Sequence, residues 1–184
     1  MERGIMHHRL VTSLAATVIV SAVLAACGGA AGDSPPASTD PMKMVIPTNV
    51  TKINGEVPIG VMSKSMSEVL LVDAQDGIGN ETTVEKTTRK RGTRSVIHIH
   101  PWGGTTCVLE GEMTLYMDGS DPERAPAGTC YYMPPNHVMT ALSSGTVDAV
   151  MLDSFKVPVG NPVWIVVEKG AESVQDQFPD GSTN

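Results

Sequence analysis

The sequence predicts an all-β domain. Two observations carry this. From Met42 to Val167 the chain breaks into many short apolar or alternating runs separated by turn dipeptides, and no run sustains a convincing helical period over ten residues. There is no internal repeat. Regularly spaced short strands of this kind build a sandwich or a barrel.

Taken in order, residues 44–46, 57–61 and 68–72 are short apolar runs, and residues 82–88 alternate. Residues 94–100, 105–109 and 112–117 follow, and then 129–133, 138–142, 147–152 and 162–167. Asp76-Gly77, Asp118-Gly119, Ser144-Gly145 and Gly160-Asn161-Pro162 mark turns between them. Only residues 63–71 offer an arguable helical alternative. Residues 171–178 suit a turn or two of helix inside a polar C-terminal tail, 171–184.

The N-terminus reads as a targeting segment. Arg3 and Arg9 precede an uncharged apolar run, 11–26, that is short for a span of roughly 20 residues. Leu24-Ala25-Ala26-Cys27-Gly28 resembles the lipobox of bacterial lipoproteins. That resemblance implies cleavage before Cys27 and its lipidation, with the domain held at the extracytoplasmic face of the cell membrane. More than one acyl chain anchors stably, since each buried methylene contributes roughly 0.8 kcal/mol. Residues 27–42 are a polar, Pro- and Ser-rich tether, and 43–170 form one domain.

Composition narrows the partners. The formal net charge is −7, and residues 1–26 contribute +1, so the remainder carries −8. An acidic chain disfavours nucleic acid. The cluster Lys86, Arg89, Lys90, Arg91 and Arg94 reads as a solvated loop before a strand.

Beyond residue 26 the chain has three histidines, His98, His100 and His137. His98 and His100 are two apart, so on a strand they point to one face. Imidazole is the commonest metal ligand. Cys107 and Cys130 would meet oxidising conditions after export and are open to a disulfide, to remaining free thiols, or to one serving a metal.

Gly92-x5-His98-x-His100, followed by Val108-Leu109-Glu110-Gly111-Glu112, resembles the first motif of the cupins. Gly128-x5-Pro134-Pro135-Asn136 resembles the second, with Asn136 in place of the usual glycine. The resemblance covers about residues 60–155 and implies a double-stranded β-helix, a small jelly-roll barrel with its site inside. It also implies that the strands carrying Cys107 and Cys130 are neighbours, which makes a cross-strand disulfide conceivable.

The departures from the motif bear on function. The family's glutamate falls at Gly104 or Thr105, and its second-motif histidine falls at Met139, two residues after His137. A shortened loop would bring His137 to His98 and His100 and form a three-histidine site for one divalent transition metal (Fe, Zn, Mn or Cu). Met139 as a ligand would favour Cu(I). The alternative is a barrel that has lost its metal, with the histidines bonding a ligand. Gly104 leaves space where the carboxylate would stand. Trp102 either lines that mouth or packs beneath a turn, and Met139 lines the site. Met113, Met117, Met133, Met139 and Met151 read as core filling.

Three functions follow as expectations. The first is a small-molecule binding module with a degenerate or weak metal site. The second is a metal-dependent cupin enzyme, a dioxygenase or isomerase, using His98, His100 and His137. The third is an envelope scaffold, for which a homodimer stays open.

Overall fold

The computed structural model describes residues 46–171 and 173. The leader, Cys27, the tether and all of the C-terminal tail but Ala171 and Ser173 lie outside the described residues. So does the run at 44–46, except for Ile46, which is not in a strand.

Among the described residues twelve strands follow one another: β1 (Val61–Met62), β2 (Ser67–Gln75), β3 (Asn80–Arg89), β4 (Thr93–Arg94), β5 (His98–Ile99), β6 (Gly104–Glu110), β7 (Glu112–Met117), β8 (Glu123–Pro126), β9 (Cys130–Met133), β10 (Met139–Ser143), β11 (Ala149–Pro158) and β12 (Ile165–Val166). One sheet has the order β2-β3-β11-β6-β9. In the other, β10 lies between β7 and the β4–β5 segment; β8 borders β7, while β1 and β12 border β4 and β5.

From β3 onward the chain alternates between the sheets: β3 in the first, β4 and β5 in the second, β6 back in the first, and so on to β12. The winding follows from paired long-range partners, β6 with β11 and β7 with β10. Inward side chains of both layers form the main core, including Val108, Met113, Leu115, Met139, Met151 and Phe155. A smaller cluster gathers Ile53, Ile97, Ile99 and Val167.

The Val-Leu-Glu-Gly stretch makes one of the corners. Gly111 is the single residue between β6 and β7 and adopts φ 75°, a region that L side chains rarely enter. A Cβ there would sit 2.8 Å from the Asp148 carbonyl oxygen. Along β6, Thr106 and Val108 are buried while Leu109 is exposed. Cys107 has the outward parity and bonds to Cys130, its direct partner across the β6–β9 ladder.

Two expectations are corrected. Residues 63–71 hold no helix, because Ser67–Gln75 pairs along β3. Strand β8 falls in none of the apolar runs of the sequence: Asp121, Pro122, Glu123 and Arg124 lack an apolar face, but an edge strand bonding on one side tolerates polar residues and a terminal proline. The basic cluster is not uniformly solvated. Arg89 and Arg94 are buried, and Arg94 forms a bidentate pair with Glu168 at 2.9 and 2.7 Å.

Candidate functional site

The histidines owe their placement to a break in a strand. Between β4 and β5, the Ile97 N–H turns out of the ladder and donates to Glu168 Oε2 at 2.7 Å. Burial works against the Glu168 carboxylate, but Arg94 and the Ile97 amide hold it below its usual range. The same break leaves the Val96 carbonyl free to accept from His98 Nδ1 at 2.7 Å. His100 Nδ1 donates to the Val163 carbonyl at 2.9 Å.

These two bonds fix the tautomers. A carbonyl oxygen only accepts, so each Nδ1 carries the hydrogen and each Nε2 carries a lone pair. The two Nε2 atoms stand 3.0 Å apart. Burial drives the pKa of His98 down to about 4, with the charge of Arg89 adding to the effect. Burial and the neighbouring His98 take His100 down to about 3. At neutral pH the rings are uncharged, and two acceptors face each other with no hydrogen between them. Trp164 meets His98 edge-on with ring centroids 5.2 Å apart, and Phe155 stacks on His100 at 4.8 Å.

Such a pair fits part of a metal site. Bonds of about 2.1 Å at a right angle would separate two nitrogens by about 3.0 Å, whereas a tetrahedral angle requires about 3.4 Å. The pair thus suits two adjacent corners of a six-coordinate ion. Among the described residues, no group of three or more His, Cys, Asp and Glu side chains is arranged to hold a metal.

His137 does not join the pair. It is exposed, with Nδ1 donating to the Pro135 carbonyl at 3.0 Å. Asn136 turns the chain with φ 64°, and β10 begins only at Met139. Met139 lies opposite His98 in register and is wholly buried in the main core rather than on the cavity surface.

Gly104 leaves no open mouth. A Cβ there would meet two carbons of the Phe155 ring at 2.5 Å, so Phe155 occupies the space of the missing carboxylate. Trp102 sits in a turn, 48% exposed and away from the cavity.

The histidine pair lines a cavity of about 360 Å³ between the sheets. On the opposite sheet, register places Glu85, Asp153, Thr106 and Tyr131 side by side across β3, β11, β6 and β9. Thr106 Oγ1 donates to Asp153 Oδ1 at 2.5 Å. Burial raises the Asp153 pKa, against the opposing hydrogen bonds of Thr106 and Thr87 and the charge of Arg89. Burial likewise raises the Tyr131 phenol. Arg89 closes one side, its two terminal nitrogens donating to the Ser63 carbonyl at 2.9 Å and Ser65 Oγ at 3.2 Å.

This polar row and Trp164 are site residues that sequence reasoning missed. A signal existed in the spacing: Glu85, Thr87 and Arg89 alternate along β3, all buried. On this strand the polar side of the alternation faces the cavity.

No family model matches this sequence, and no curated protein is detectably similar to it. Solved structures resemble it in three dimensions. One is an uncharacterized conserved protein with a double-stranded β-helix domain from Klebsiella pneumoniae, at 21% identity and a TM-score of 0.45, covering 59% of this chain and 91% of that one. The alternating winding described above has that form. The fold is a double-stranded β-helix. A cupin-like protein from Thermotoga maritima gives 18% identity and a TM-score of 0.46, over 69% of this chain and 97% of its own. The DMSP lyase DddQ from Ruegeria pomeroyi gives 15% and 0.49, over 58% of this chain, which spans about half (53%) of the lyase chain. The β-helix barrel supplies two layers and a cavity; its chemistry depends on the side chains that line that cavity.

Proposed function

We propose that this protein is a binding module for a small polar molecule, held at the extracytoplasmic face of a membrane through lipidated Cys27. His98 and His100 are its recognition pair and a weak two-ligand seat for one divalent transition ion. The observation that carries this reading is the pair of buried Nε2 atoms, 3.0 Å apart on the wall of a cavity, whose Nδ1 partners are both carbonyls. Buried acceptors that lack a hydrogen are costly until a partner arrives. A bound ion would be held by His98 Nε2 and His100 Nε2 and would act as a Lewis acid toward an oxygen of the ligand. Two protein ligands fall short of the three usual in catalytic sites, so binding is preferred to the dioxygenase or isomerase reading.

The test is metal analysis of tag-free protein beginning after Cys27, beside a His98→Ala/His100→Ala double variant. The expected result is substoichiometric metal that rises on incubation with Fe(II), Zn(II), Mn(II) or Cu(II) and is lost in the variant. Tight stoichiometric metal would favour the enzyme reading, and metal retained in the variant would remove the pair from the site. For the anchor, Cys27→Ser should release the protein from the membrane fraction; unchanged fractionation would refute lipidation.

A further inference from the structure

We infer that one flank of the barrel, residues 57–72, is the interface for a second copy of this chain, related by a two-fold axis. The inference goes beyond the binding-module reading and does not depend on it.

The first observation is where the apolar surface lies. Sixteen large apolar side chains are exposed among the described residues, and nine of them fall within residues 57–72. Val61 is 71% exposed, Met66 60% and Leu71 53%. Scattered apolar residues need no explanation, but a contiguous group marks a contact surface. The topology makes this group contiguous. Among the described residues β1 is a margin of one sheet and β2 a margin of the other, and residues 63–66 cross directly between them. The Ser63 amide donates to the Arg94 carbonyl at 3.0 Å and the Met66 amide to the Thr88 carbonyl at 2.8 Å, which holds the crossing against both sheets.

The second observation is size. At 40–71% exposure each, the nine residues present on the order of 800 Å², one partner's share of a standard interface.

The third is symmetry in the sequence, and it selects the occupant. Along β2, Glu68-Val69-Leu70-Leu71-Val72-Asp73 reads in both directions as acid, valine, leucine, leucine, valine, acid. A two-fold axis sets a patch against itself, so its strand meets its own copy antiparallel. With the axis between Leu70 and Leu71, valine faces valine and leucine faces leucine. Register places Val69 beside Lys86 and Val72 beside Val84, which alternate with the cavity-lining Glu85 and Thr87 of β3. Cross-strand partners share a face, so the irregularity between Leu70 and Val72 leaves both valines on the outer face. A bulge also blunts an edge against strand addition, so the contact is made by side chains and closes at two copies. Exposed Lys64 and Lys86 border the patch together with Glu68 and Asp73, a rim of mixed charge around an apolar centre. An anionic lipid surface would call for a basic rim instead. The antiparallel pairing sets Glu68 opposite Asp73 at each end, so salt, which screens that repulsion, should tighten the dimer.

The experiment uses intact cells expressing the full chain, and a short bis-maleimide. Val69→Cys/Val72→Cys should cross-link to a product of two chains, whereas Val147→Cys, exposed in the turn before β11, should not. The detergent-solubilised full chain should sediment as two chains, more completely at higher salt. Val69→Lys/Leu71→Lys should sediment as one chain with an unchanged far-ultraviolet dichroism spectrum. A chain that sediments as one and does not cross-link would overturn the inference. So would a dimer that survives the lysine substitutions or weakens with salt, a cross-linked ladder beyond two, or a product joined to a different protein. Flotation of the Cys27→Ser chain with phosphatidylglycerol vesicles, lost with the lysine substitutions, would give the flank to lipid and overturn it as well. Failure here leaves the metal test of His98 and His100 untouched.

Discussion

Replacing Gly104 with alanine tests whether Phe155 fills the missing carboxylate's place. The new methyl would lie 2.5 Å from both Cδ1 and Cε1 of the Phe155 ring. The ring cannot swing aside freely, because it stacks on His100 with centroids 4.8 Å apart and a 23° tilt. Overpacking of this kind costs about 1–3 kcal/mol. The relief of removing a strand glycine returns about 0.5–1 kcal/mol, so the net loss should be about 1–2 kcal/mol. Phe155→Ala alone should cost about 3–4 kcal/mol through the cavity it leaves. In the double variant the alanine methyl has room, so the combined loss should fall short of the sum by at least about 1 kcal/mol. Urea unfolding of the four proteins closes the cycle. Additivity within about 0.5 kcal/mol would refute the claim that the two residues compete for one space.

Other outcomes follow from the same geometry. In metal-free protein the histidines are neutral when folded, with pKa values of about 4 and 3, against about 6.5 unfolded. Depressed histidine values make the unfolded state bind more protons, so stability falls as pH drops below about 6.5; from pH 7 to 5 each ring should remove about 2 kcal/mol. Denaturation at both pH values reads this, and a His98→Gln/His100→Gln variant with the same slope would refute it. Glu168→Gln should cost about 3 kcal/mol by leaving Arg94 buried without its carboxylate; a melting temperature within a degree of the parent would contradict that. Reducing Cys107–Cys130, which encloses a loop of sequence separation 23, should cost about 3 kcal/mol. Thiol titration of the denatured, unreduced barrel domain beginning after Cys27 should find no free thiol, and two would refute the bond.

The strands and the corner were legible because they obey local rules. Gly111 must turn, Asn136 tolerates a left-handed conformation at φ 64°, and His98 and His100 share a face. The outward parity of Cys107 was legible in the same way. The facing wall was not, because its logic is inverted. Glu85, Arg89 and Asp153 look solvated in a sequence, and only the cross-strand register of β3, β11 and β6 brings their side of the sheet inward. Likewise, nothing local says that Gly104 is small for the sake of Phe155, which is 51 residues away in the chain. The position of His137 depended on where the turn released the strand, and the turn releases it late.

The cystine has a mechanical consequence. It staples β6 to β9 on the outer face, directly behind the strands that present Thr106 and Tyr131. At the other margin of that sheet, β2 pairs among the described residues with β3 alone, through a register irregularity between Leu70 and Val72. The wall is therefore covalently linked along one side and held by hydrogen bonds alone along the other. Amide exchange across this wall should therefore be fastest at the β2 margin, beside the cavity-lining residues 63–68.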